Sequence, residues 1–161
     1  EHLDLAVRIG PLSDSMFIAR KVGEVRRIIC ASPAYLKKHE IPETPGDLAK
    51  LDAITFQSLM SPSHWQFGSE QPQKVMPMRS RLIVNTAEAA IDAATDGLGF
   101  TRVLSYQAAA AIKAGRLVPL LEEFEPVPWP VHLLYEPRVL IPQKLRAFLD
   151  FAAPRIVASM A

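Results

Sequence analysis

Two apolar strands that follow one another with no helix between them constrain this chain more than any other feature. The first, Leu3 to Ile9, is stopped by Gly10-Pro11, and the second, Arg26 to Ala31, runs at once into Ser32-Pro33-Ala34-Tyr35-Leu36. Ser32 supplies a capping oxygen, and Pro33 falls at the first helical position, where its missing N–H costs nothing. A short helix to about His39 is therefore expected. The connection from Phe17 to Glu24 shows no helical stripe, and Arg26 to Ala31 looks like the start of another sheet. In an α/β chain, this predicts an extended crossover between two lobes, and crevices between lobes take up small ligands.

Downstream, Thr44-Pro45-Gly46-Asp47 repeats the cap, proline and acid of a helix start, and Ala53 to Phe56 reads as a short buried strand. The stretch from Gln57 to Ser80 reads as loop and edge strand, with short strand candidates at Trp65 to Phe67 and Val75 to Met78. Arg81 to Val84 is again a strand. Asn85 and Glu88 have capping-box spacing ahead of a helix with an apolar stripe at Ala87, Ala90, Ile91 and Ala94, ended by Gly97. A strand from Gly99 to Arg102, a helix from Val103 to Ala114 closed by Gly115, and a strand from Leu117 to Leu121 continue an alternation that predicts a largely parallel sheet. Pro126 to Pro130 reads as the return crossover, and Val131 to Tyr135 as a strand. A last helix begins at Pro142 with Leu145, Phe148, Leu149 and Ala152 on one face, and Pro154 is expected to bend or end it.

With 161 residues, 49% of them apolar, the chain can bury a core as one domain or two small lobes. Eighteen basic and seventeen acidic residues leave a formal charge of +1 without a block of either sign, so the footprint of a nucleic-acid binder is missing. The single cysteine, Cys30, excludes an internal disulfide. No apolar run approaches the roughly 18 residues that span a bilayer, and the first residues lack a basic, signal-like segment. A cytoplasmic location, with no membrane partner, is expected.

Ligands in an open α/β sheet gather where strands end, because loops and helix starts there present unpaired N–H groups. The pattern offers three such ends: Gly10-Pro11-Leu12, Thr55-Phe56-Gln57-Ser58, and Phe100-Thr101-Arg102 with Asn85-Thr86 nearby. Arg102 can hold a carboxylate through two parallel hydrogen bonds. Arg8, inside an apolar strand, is expected to cap a cleft or to join a structural ion pair. Gly97-Leu98-Gly99 lacks the register of a phosphate loop and reads as a helix C-cap followed by a strand entrance. Glu122-Glu123-Phe124-Glu125 lacks a histidine or cysteine at ligand spacing, so it reads as a solvated acidic turn and not a metal site. Ser58, Ser61 and Ser63 lie near His64 without a nucleophile elbow, which speaks against a hydrolase. Cys30 reads as a small core residue, and Trp65 with Phe67 as one strand face.

The ordered series DLAVRIGPL, ARKVGEVRRIICASPAYLKKH, TPGDLAKLDAITF, RLIVNTAEAAIDAATDGLGFTRVLSYQAAAAIKAGRLVPLLEEF and PVHLLYEPRVLIPQKLRAFLDFAAPRI resembles the effector-binding domain of LysR-type transcriptional regulators. The resemblance implies an α/β, periplasmic-binding-protein-like type II architecture. Residues 1–25 would be a remnant of the first lobe with a crossover, 26–122 a complete second lobe, and 123–161 the return crossover with a first-lobe strand and helix. It implies that Thr55, Phe56, Phe100, Thr101 and Arg102 face the effector cleft. The implied partners are a small metabolite, with carboxylates among the expected classes, and other copies of the protein. DNA would be met only through an N-terminal helix-turn-helix expected upstream of Glu1, and neither catalysis nor a cofactor is implied. The alternative is a transporter's solute-binding protein of similar two-lobe fold.

Overall fold

The computed structural model describes residues 4–12, 16–57, 64–68, 74–137 and 142–160. Ser58, Ser61 and Ser63 lie outside these residues, as does Leu3. The chain divides into two compact units, one formed by Glu1–Val25 with Pro128–Ala161 and the other by Arg26–Val127.

The first unit is a three-stranded antiparallel sheet in the order β1-β10-β2, formed by β1 (Ala6–Ile9), β2 (Ile18–Val25) and β10 (Trp129–Tyr135), with helix α4 (Gln143–Met160). The helix-free connection is thus itself a strand, β2. Strand β1 is an edge strand and not covered on both faces: Val7 is 54% exposed and Arg8 is also exposed. Gly10 takes a positive φ of 107° as it ends β1 and donates its N–H to the Pro130 carbonyl at 2.9 Å. Helix α4 buries Leu145, Leu149, Ala152 and Ala153 and continues through Pro154 to Met160. Phe148, expected on that stripe, is 50% exposed.

The second unit is built on a five-stranded sheet in the order β7-β4-β8-β3-β9. Its strands are β3 (Arg27–Ala31), β4 (Ala53–Phe56), β7 (Ser80–Val84), β8 (Phe100–Leu104) and β9 (Val118–Leu120). Strand β4 is parallel to β7 and β8, but β3 runs antiparallel to both β8 and β9, so the sheet is mixed and not largely parallel. The strand candidates at Trp65 to Phe67 and Val75 to Met78 form a short antiparallel hairpin, β5 (His64–Phe67) with β6 (Lys74–Pro77), between β4 and β7.

Each face of the sheet has its own core. Ile28, Cys30, Ile54 and Val103 pack against α2 (Ala87–Thr95) and α3 (Ser105–Lys113) through Ala87, Ala90, Ala94, Ala108 and Ala111. Small alanines on these helices let the helix backbones approach the sheet closely. On the other face, Ile29, Ala31, Phe100 and Leu120 pack with Tyr35, Leu48, Trp65 and Phe67. The segment from Gln57 to Ser80 therefore contributes to the core: Trp65 is only 2% exposed and meets Phe100 edge to face at 5.6 Å.

Local chemistry fixes the ends of these elements. Ser32 Oγ accepts the Tyr35 N–H at 3.2 Å ahead of α1 (Pro33–Leu36), as its sequence predicts. The segment Pro45–Lys50 is a 3₁₀ helix whose Asp47 carboxylate accepts the Thr44 N–H at 2.9 Å. Thr86, and not Asn85, caps α2, its hydroxyl accepting the Ala89 N–H at 3.2 Å. Gly97 leaves the helix at φ +80°, and Gly99 passes so close to Asp52 that an added Cβ would run into the Asp52 carbonyl oxygen. The two glycines thus have separate jobs: one ends a helix and the other admits a neighbouring strand.

Candidate functional site

Strand register decides which expected site residues meet. Phe56 pairs with Val84 across the parallel β4–β7 ladder, and Gln57 donates its N–H to the Val84 carbonyl at 2.7 Å. Thr55, Phe56 and Asn85 are therefore gathered at one end of the sheet, beside the start of α2. Asn85 is exposed, Phe56 is half-buried, and Thr55 is buried with its hydroxyl hydrogen-bonded to that of Ser80. The helix start adds oriented N–H dipoles to this end, which favour a polar or anionic ligand group.

Strand β8 runs on to Leu104, two residues past its expected end, because Val103 and Leu104 continue the ladder opposite Ile28 and Arg27. Phe100 and Thr101 are consequently at its beginning. Both are fully buried, Phe100 beneath Trp65 and Thr101 donating its hydroxyl to the Ile54 carbonyl at 2.9 Å. As they stand, these two side chains hold the core together and face no open crevice. Gly10, Pro11 and Leu12 belong to the other unit, where Gly10 is buried and Pro11 and Leu12 are exposed.

Arg102 is the residue with the least ordinary surroundings. It is mid-strand, 7% exposed, directly opposite Ile29, with its guanidinium carbon 4.6 Å from the centre of the Trp65 ring. Its Nη1 has no hydrogen-bond partner among the described residues. Burial, and then the charge of Arg27, hold its pKa down at about 9. Arg27 shares the same sheet face, is also 7% exposed, and donates from Nη2 to the Val127 carbonyl at 3.0 Å. Desolvation lowers its pKa as well.

Sequence reasoning singled out Arg8 as the charge within an apolar strand, yet Arg8 is exposed at an edge while Arg27 is buried. The signal for Arg27 was available: period-two alternation puts it on the same face as Ile29 and Ala31, which must be covered. A small pocket lies against these two arginines, walled also by Gln66, Phe67, Phe124 and Glu125. Glu125 turns its carboxylate to Arg26, 3.3 Å away, and burial raises its pKa against that pairing. Leu121, also on the pocket wall, holds a left-handed backbone at φ 55°. The acidic turn is a 3₁₀ helix, Glu122–Phe124, anchored by Phe124 accepting the Gly68 N–H at 2.9 Å.

Cys30 is fully buried on the opposite face, where desolvation pushes its thiol up to about 12. It is a core residue and a poor nucleophile. Among the described residues, no helix is long and apolar enough to cross a membrane.

The LysR substrate binding domain model matches residues 1–156. The regulator PtxR of Pseudomonas aeruginosa is 31% identical over 150 residues, which cover 93% of this chain and 48% of PtxR. An HTH-type transcriptional regulator of Haemophilus influenzae is 29% identical over 90% of this chain and 50% of its own length. The chain thus spans about half the length of the curated relatives it matches. The full-length Vibrio cholerae virulence activator AphB, a member of the LTTR protein family, superposes with a TM-score of 0.81 at 31% identity, covering 94% of this chain and 51% of that one. The regulatory domain of CrgA, a LysR-type transcriptional regulator from Neisseria meningitidis, gives 0.79 at 26% identity, covering 99% of this chain and 76% of that one. These neighbours place the fold in the periplasmic-binding-protein-like type II class.

Proposed function

Because the chain belongs to the LysR substrate-binding domain family, we propose that it senses a small metabolite and passes its occupancy on to a DNA-binding module of the same regulator. The observation that carries the site assignment is the pairing of Phe56 with Val84, which brings Phe56 and Asn85 to the same end of the parallel strands, beside the start of α2. Phe56 offers an apolar wall, and Asn85 and the helix start offer hydrogen bonds. Gly10, Pro11 and Leu12, in the Glu1–Val25 with Pro128–Ala161 unit, are proposed as ligand contacts in their own right. A ligand of this kind shifts a regulator only through a difference in affinity between two arrangements of the protein, and the size of that difference limits the response.

Effectors bearing a carboxylate suit the oriented N–H groups at the start of α2. Self-association and a cytoplasmic setting complete the reading. The transporter alternative is disfavoured, since the relatives are transcriptional regulators. A thermal-shift screen of small metabolites on this chain tests the proposal: a ligand at about 100 times its dissociation constant adds roughly 2.7 kcal/mol of stability. The proposal expects at least one saturable stabiliser whose effect is weakened by Asn85→Ala. A hit that ignores Asn85→Ala and Phe56→Leu alike counts against this end of the sheet as the site.

A further inference from the structure

We propose that strand β1 docks a second copy of this chain, the two β1 strands pairing antiparallel about a two-fold axis at Ala6. The strand is open on the side that faces away from β10. Gly10 donates its N–H to the Pro130 carbonyl, and Arg8 and Ala6 lie opposite His132 and Leu134 in the same register, so these three residues direct their backbone groups into the sheet. Alternation then turns the N–H and C=O of Val7 and Ile9 outward, where no further strand is paired among the described residues.

Charge complementarity names the occupant. With Ala6 opposite the partner's Ala6, Asp4 meets the partner's Arg8 on one face and Leu5 meets the partner's Val7 on the other, and the two-fold axis makes each pair twice. An axis at Val7 leaves Arg8 against the partner's Ala6, and an axis at Arg8 sets two arginines together. A slip by a single residue fails as well, because it opposes outward backbone groups to inward ones. Only the Ala6 register satisfies the backbone and both charges.

The apolar pairs meet a surface ready for them. Val7 is 54% exposed, and Leu5, Leu145 and Phe148 line an open groove of about 340 Å³ that also touches Asp4 and Lys144. In the Ala6 register the partner's Val7 arrives opposite Leu5, at this groove, and covers part of an exposed apolar face. Asp4 holds Lys144 at 2.9 Å, and a carboxylate accepts on both oxygens, so the partner's Arg8 can join that pair without displacing it. All these residues belong to one compact unit. The docking gives the self-association of the proposed reading a surface, but it uses no part of the Phe56 and Asn85 end, so its failure would leave that site standing.

Sedimentation velocity of the 161-residue chain at low ionic strength tests the proposal, over about 5 to 500 μM, because surface ion pairs are screened by salt and an interface this small supports only a weak dimer. A mass that rises from monomer to dimer is expected. Arg8→Asp and Asp4→Lys each set like charges against one another at both pairs, and each should weaken dimerisation about ten-fold or more. An equimolar mixture of the two variants restores opposite charges at both pairs, and it should dimerise about as tightly as the wild type. Hydrogen–deuterium exchange should show Val7 and Ile9 amides becoming protected as concentration rises. A monomer throughout, a dimer indifferent to Arg8→Asp, or a mixture no tighter than its components would overturn the proposal. So would protection of Val7 and Ile9 that is independent of concentration, which would put a segment of the same polypeptide on the edge.

Discussion

The guanidinium of Arg102 lies over the indole of Trp65, 4.6 Å from ring centre to guanidinium carbon, inside the core on one face of the second sheet. A depressed pKa of about 9 means that Arg102 carries its charge at neutral pH in the folded and unfolded chain alike, with the full desolvation cost in force. Stability tied to this group returns only above the folded value, as pH rises past about 9. Arg102→Met should therefore stabilise the protein at pH 7 in a buffer free of small anions, by about 1–3 kcal/mol, despite losing the ring contact. Urea unfolding measures this directly, and a loss of stability would mean that the arginine is already compensated.

Cys30 runs in the opposite sense. Its folded pKa of about 12 lies above the ordinary 9.0, so the stability tied to the protonated thiol is complete below pH 9 and lost as pH climbs towards 12. Relative to wild type, Cys30→Ala should gain about 1 kcal/mol between pH 8 and pH 10. Denaturant midpoints at the two pH values check the difference, independently of whatever cavity the substitution leaves.

The same burial predicts chemical inertness. A thiol reagent at pH 8 should label Cys30 no faster than the protein unfolds, and at full rate in denaturant. Rapid labelling of the native chain would show that the thiol reaches solvent.

Gly99→Ala tests the close approach of β8 to the chain entering β4. The new Cβ meets the backbone of Asp52 and not a flexible side chain, so relief requires moving a strand that also accepts the Phe100 N–H at 3.0 Å. A loss of about 2–3 kcal/mol is expected by denaturant unfolding. A change below about 0.5 kcal/mol, the scale of an ordinary surface substitution, would contradict the packing described.

Much of the fold was legible because local rules and packing agree. Ser32-Pro33, Gly97 and Gly115 end or begin elements where their chemistry says they should, and the alanines of α2 and α3 lie on the buried faces. What was not legible depends on partners distant in sequence. The antiparallel setting of β3 between β8 and β9 has no local signature, and alternation alone suggested a parallel sheet. Trp65 and Phe67 were legible as one strand face, but nothing local says that this face covers Phe100. At the candidate site, Thr55, Phe56 and Asn85 follow from strand ends. Thr101 and Phe100 fall at the start of β8, inside the core, because the strand continues to Leu104, and Arg27 was passed over in favour of Arg8 although alternation places it on the covered face with Ile29 and Ala31.

Hydrogen–deuterium exchange of the chain with and without a metabolite found in the thermal-shift screen tests the sensing account most directly. Amides are read along the whole sequence, so the site is located without assuming it. The account predicts slowed exchange at Phe56 and Gln57 and across Asn85 to Ala89, with the solvent face of α3 unchanged. Protection confined to α3, or equal protection everywhere from simple stabilisation with no excess at those strand and helix ends, would contradict it.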